Sequence, residues 1–142
     1  MVKHLIVISC LLGACLLAMP ARAIEPSNDP IDRKVNACMD RDPSTAGMMQ
    51  CLQQAYADWD AELNAVYADV RMRLDPQAQS ALKDAQRLWI SYRDAEFVAI
   101  DTIYGAMQGT MWQLAGLSRK VEFLKNRVIE LRMYAEDLNQ AN

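Results

Sequence analysis

Apolar residues recur at alternating steps of three and four through most of this chain, and that spacing leaves little choice of fold. Leu52, Tyr56, Trp59, Leu63, Val66, Val70 and Leu74 form one such run, and Ala78, Leu82, Ala85, Trp89, Tyr92, Ala99 and Ile103 a second. The third is the most regular: Leu114, Leu117, Val121, Leu124, Val128, Leu131, Ala135 and Leu138. This is the period of an α-helix with one apolar stripe, and no segment shows the two-residue alternation of a strand. Between the runs stand Asp75-Pro76, a cap followed by a proline suited to a first turn, and the glycine-bearing stretch Tyr104–Met111. These breaks fold the chain back on itself. Arg41-Asp42-Pro43-Ser44 is a further break, with Ser44 or Thr45 as the next N-cap, and Ile31–Asp40 forms a short helix before it. The expected fold is all-α: an antiparallel bundle of three long helices plus a short N-terminal helix.

The first 23 of the 142 residues stand apart. Lys3 and His4 precede an apolar stretch from Leu5 to Met19, then Pro20 and Ala21-Arg22-Ala23, the layout of a secretory signal peptide with a cut after Ala23. Residues 24–142 then form one domain. A rival cut at Leu12-Gly13-Ala14-Cys15 would make Cys15 a lipid-anchored first residue, but the residues after Cys15 remain apolar. Export removes the only histidine, His4, together with Cys10 and Cys15. Two cysteines remain, Cys38 and Cys51, and in an oxidising compartment they form one disulfide that ties the short helix on.

This inventory excludes several functions. Loss of Lys3 and Arg22 leaves 13 basic against 18 acidic residues, a formal charge of −5, which disfavours nucleic acid as a partner. No metal set and no cofactor motif is present, and no catalytic residue is assigned. Carboxylates such as Asp58 and Glu62 share one helix face rather than opposing each other across a cleft. An enzyme is not expected. Charge is uneven: residues 25–69 hold nine acids and three bases, and residues 111–133 hold five bases and two acids. Mutual neutralisation across helix surfaces explains this, and an acidic patch for a cationic partner is the alternative.

Polar side chains interrupt the stripes at matched heights. Gln86, Trp89 and Arg93 share one helix face, and Asp60, Asn64 and Tyr67 share another. If the chain turns at Asp75, facing residues sum to about 150. Asn64 is then level with Gln86, and Asp60 lies within a turn of Arg93. Buried polar groups are costly unless paired. The expectation is therefore a network of Asp60 with Arg93 and Asn64 with Gln86, with the Trp89 indole as a further donor.

The order Cys38, Cys51, Asp60-x-x-Leu63-Asn64-x-x-Tyr67, then Leu82-Lys83-x-Ala85-Gln86-x-x-Trp89-x-x-Tyr92-Arg93-Asp94-Ala95-Glu96 resembles the lysozyme-inhibitor LprI-like family of small exported bacterial proteins. The likeness runs from about Cys38 to Leu138. It implies a periplasmic or secreted binding protein whose partner is lysozyme. Members commonly carry a second cysteine pair, where this chain has Phe97 and Phe123; a hairpin turning near Thr110 sets these two level, so a ring contact replaces the bridge. The family's arginine in the last helix matches Arg127. Tyr104, Gln108 and Thr110 are the candidate partner-binding loop, with donors to offer a cleft of carboxylates. Met107 and Met111 serve either as exposed contacts or as a cap on the bundle end. A periplasmic helical chaperone, using methionines such as Met48 and Met49 for adaptable contacts, is the alternative function. A subunit of an envelope assembly is a third.

Overall fold

The structure is a computed structural model and describes residues 28–141. The expected signal peptide, the expected cut after Ala23 and Cys15 lie outside the described residues. Four helices follow one another: α1 Pro30–Arg41, α2 Thr45–Arg73, α3 Pro76–Gly105 and α4 Thr110–Gln140. No strand occurs among the described residues.

Local chemistry starts each helix. Asp29 caps α1, its carboxylate accepting from Ile31 N at 2.8 Å, with Pro30 in the first turn. Ser44 Oγ accepts from Gly47 N at 3.0 Å to open α2, and Asp75 Oδ1 accepts from Ala78 N at 2.9 Å to open α3. Helix α4 has no side-chain cap. It begins after Gly109, whose φ of +106° lies where residues with a side chain are strained. The α3–α4 connection is therefore only residues 106–109, shorter than the Tyr104–Met111 expected from sequence, because Tyr104 and Gly105 continue α3.

Packing centres on α4. Met49 shares a groove with Gln113 and Leu117, Trp59 lies beneath Lys125 and Arg132, and Arg73 Nη1 reaches Asn139 at 2.8 Å. So α2 and α4 run side by side in the same direction. Helix α3 runs the other way along α4, from Gln86 beside Arg127 to Ile100 and Tyr104 beside Gly116. Contact between α2 and α3 is slight by comparison. Trp59, Val70, Leu124, Val128 and Leu131 form the sealed centre, all from α2 and α4. Of α3, only Leu82, Gln86 and Ile100 are buried.

Helix α1 lies against α2, tied by the disulfide Cys38–Cys51 with its Cα atoms 5.8 Å apart. Ion pairs do the rest. Lys34 Nζ meets Asp58 at 2.6 Å, Lys125 Nζ meets Asp32 at 2.8 Å, and Arg132 bridges Asp29 at 2.5 Å and Glu62 at 2.7 Å. The acids of the N-terminal half thus neutralise the bases of α4, and Lys120 finds Asp101 of α3 at 2.6 Å.

Candidate functional site

The residues that carry the sequence motifs gather on the α3–α4 seam, but not as the hairpin at Asp75 predicts. Arg127 Nε donates to Gln86 Oε1 at 3.1 Å, and both side chains are buried. Asn64 instead donates within its own helix, to the Asp60 carbonyl at 2.8 Å and its carboxylate at 3.4 Å, and is exposed. Arg93 holds the neighbouring Asp94 at 2.7 Å rather than Asp60. Tyr67 packs, partly buried, against the core. The expected cross-links between α2 and α3 are therefore corrected. Since α3 lies along α4, the inward side of Gln86 meets α4, and the polar edge of α2 is left to itself.

Trp89 is the centre of this seam. Its ring stacks on Phe123 with centroids 5.7 Å apart, and the guanidinium carbons of Arg93 and Arg127 lie 5.7 and 5.8 Å from the ring centre. Cations over an indole face are attracted by its quadrupole. The indole is thus fixed by its ring rather than as a hydrogen-bond donor. Phe123 also receives Tyr92 at 5.3 Å and Phe97 at 5.8 Å, both edge-on. Phe97 and Phe123, expected at the same height, do meet.

A second indole, Trp59, is fully buried and has Lys125 and Arg132 over its ring at 6.0 and 5.6 Å. Burial pushes the Asp29 carboxyl up, but bonds from Arg132 and Ile31 N and the charges of Arg132 and Lys125 bring it below the ordinary range. Burial also opposes the charge on Lys125, yet Asp32, with Glu122 and Asp29, holds its pKa above the usual value. Both groups are in their charged forms near neutrality, which keeps α1 on the bundle.

The third feature is the α3–α4 tip. Ile103, Met107, Met111 and Trp112 are all exposed there, at 55%, 40%, 59% and 44%. Beneath them the Tyr104 ring lies 6.4 Å from Trp112 and packs on Gly116, where a Cβ would come within 3.2 Å of its own Cβ. The Tyr104 hydroxyl accepts from Arg119 Nε at 3.4 Å, so it is partly committed inside the protein. Gln108 and Thr110 stand exposed on the tip. Ile103, expected on the inward stripe of α3, instead stands exposed on the tip with Trp112. The signal for them is an absence: residues 102–118 contain no charged side chain. Among the described residues no group of three or more acids, cysteines or histidines is placed to hold a metal ion, and no helix is long and apolar enough to cross a membrane.

Four helices with one disulfide and a glutamine–arginine–tryptophan seam define a small all-α domain. The family model for the lysozyme inhibitor LprI matches residues 36–131, and the chain belongs to that family. It is also similar to a crystal structure of an uncharacterized protein from Burkholderia thailandensis, with 29% identity and a TM-score of 0.75 over 80% of this chain. The match covers 57% of that protein, which is considerably longer. No curated protein matches the chain.

Proposed function

We propose that this protein is exported to the bacterial envelope and there inhibits a lysozyme by blocking its substrate cleft, with the α3–α4 tip as the inserted element. Family membership supports the activity. The observation that carries the surface is the exposed, charge-free tip, where Met107 stands on the four-residue turn and Ile103, Met111 and Trp112 flank it on the ends of α3 and α4. Exposed apolar clusters on a small soluble domain mark contact sites, and tryptophan is enriched among residues that dominate binding. A lysozyme cleft binds a neutral saccharide between two carboxylates. An uncharged tip with an indole face and the Gln108 amide offers such a cleft stacking and donors without bringing a repelling carboxylate. The body of the molecule, at −5 after a cut at Ala23 (13 basic, 18 acidic), would be drawn toward a cationic enzyme.

Cell-wall turbidity assays with a panel of lysozyme types test the reading. Inhibition of at least one type is expected at a several-fold molar excess, and no inhibition of any discards it. The triple change Met107→Ser, Met111→Ser and Trp112→Ala should raise the inhibition constant about 30-fold or more, since losing even one central interface residue costs about 2 kcal/mol or more. Exposed Met72, Met107, Met111 and Met133 also suit adaptable contacts with unfolded clients. Suppression of client aggregation without lysozyme inhibition would favour the chaperone. Mass analysis of the exported protein distinguishes a free Ile24 from an acylated Cys15.

A further inference from the structure

Helix α3 carries two stripes. Leu82, Gln86, Trp89, Phe97 and Ile100 face the bundle. On the other side Leu88, Ser91, Ala95, Val98 and Thr102 recur at steps of three, four, three and four, and all five are exposed. Leu88 is 68% and Val98 67% accessible, and no charge interrupts the run. Isolated exposed apolar residues are ordinary. An uncharged a/d-type seam over four turns, on a 30-residue helix with only three buried residues, is the pattern of a helix covered on two sides.

We propose that this outer seam of α3 binds a second copy of the chain, α3 against α3 in antiparallel fashion. The pattern is self-complementary, as a two-fold interface requires. With the axis level with Arg93, Leu88 stands opposite Val98 of the second copy and Ser91 opposite Ala95. Small residues at the centre let the backbones approach, and the large pair fills the space on either side. The charges decide the direction. Arg87, Asp94 and Asp101 each precede a seam residue and so border the same edge, while the other edge holds Ala85, Tyr92 and Ala99. Antiparallel helices pair like edges, which brings Arg87 within two residues' height of Asp101 of the second copy, twice over; Asp101 already holds Lys120 at 2.6 Å and, 68% exposed, has acceptor capacity left for a second cation. Asp94 meets its counterpart at the axis with its carboxylate already held by Arg93 at 2.7 Å. Parallel helices pair unlike edges and would leave these charges facing Ala85, Tyr92 and Ala99. In the antiparallel dimer the two α3–α4 tips lie at opposite ends, both uncovered. The proposal therefore stands independently of lysozyme binding.

Sedimentation equilibrium of the exported protein, from about 1 µM to about 1 mM, tests it across the range in which a modest interface dissociates. A monomer–dimer equilibrium is expected. The double change Leu88→Glu and Val98→Glu should abolish it while leaving helical circular dichroism and the Tm of the dilute monomer unchanged, since both side chains face water in the single chain. Arg87→Asp should weaken the dimer about tenfold, and adding Asp101→Arg should restore most of the loss. A wild-type protein that stays monomeric to about 1 mM overturns the proposal, as does a dimer that survives both glutamates. Loss of lysozyme inhibition in the glutamate variant, with the wild type monomeric, would assign the seam to the enzyme instead.

Discussion

Two indoles in this molecule sit under two cations each, and they do different jobs. Trp59 is sealed where α1, α2 and α4 meet, and each cation over it is matched by acids of α1 or α2. Trp89 is only partly buried on the α3–α4 seam, with Arg127 shared between its ring, Gln86 and Glu130. The first arrangement anchors the core and the short α1. The second fixes a helix that touches little besides α4. Equivalent chemistry thus yields a rigid α2–α4 pair and a more thinly attached α3, the helix that carries both proposed contact surfaces.

The largest test of this contrast is truncation of each ring. Trp59→Ala should cost about 4 kcal/mol and Trp89→Ala about 2 kcal/mol in denaturant unfolding, because a sealed cavity cannot relax as an edge can. Equal losses would break the distinction. Arg127→Ala should follow at about 2 kcal/mol, since it leaves the buried Gln86 amide without its partner. Asn64→Ala, on the exposed edge of α2, should change stability by less than about 0.5 kcal/mol.

Acid sharpens the same comparison. Asp29 has a lowered pKa, so its contribution is complete above the unfolded value of 3.8 and is lost as pH falls below it. Lys125 has a raised pKa, so its contribution is complete below 10.5 and is lost as pH rises through the folded value. The attachment of α1 to α4 should therefore weaken below about pH 4 and above about pH 10.5. Fluorescence of Trp59 in a Trp89→Phe/Trp112→Phe background reads this out. Emission unchanged down to pH 2 would show that the disulfide alone holds α1.

Much of this was legible in the residues. Stripe spacing announced three long helices, Asp75-Pro76 and Gly109 marked the reversals, and two cysteines left by the export reading made a bridge. The level placement of Phe97 and Phe123 followed from simple counting about a turn near Thr110, because α3 and α4 do pack together. The same counting about Asp75 failed for Asn64 and Gln86, although it was arithmetically no weaker. Adjacent helices in the chain need not be the pair in tightest contact.

Periodicity along a helix is a local property, set by 3.6 residues per turn and by which side chains avoid water. It was enough to decide helix content, helix limits to within a residue or two, and which side of α2 and α4 turns inward; on α3, Ala85, Tyr92 and Ile103 of the expected stripe are exposed. It carries no term for the neighbour across the interface. That Gln86 meets Arg127, 41 residues away, and that α2 lies parallel to α4 were decided only when three stripes competed for one shared core. The two helices that bury most, α2 and α4, took the centre.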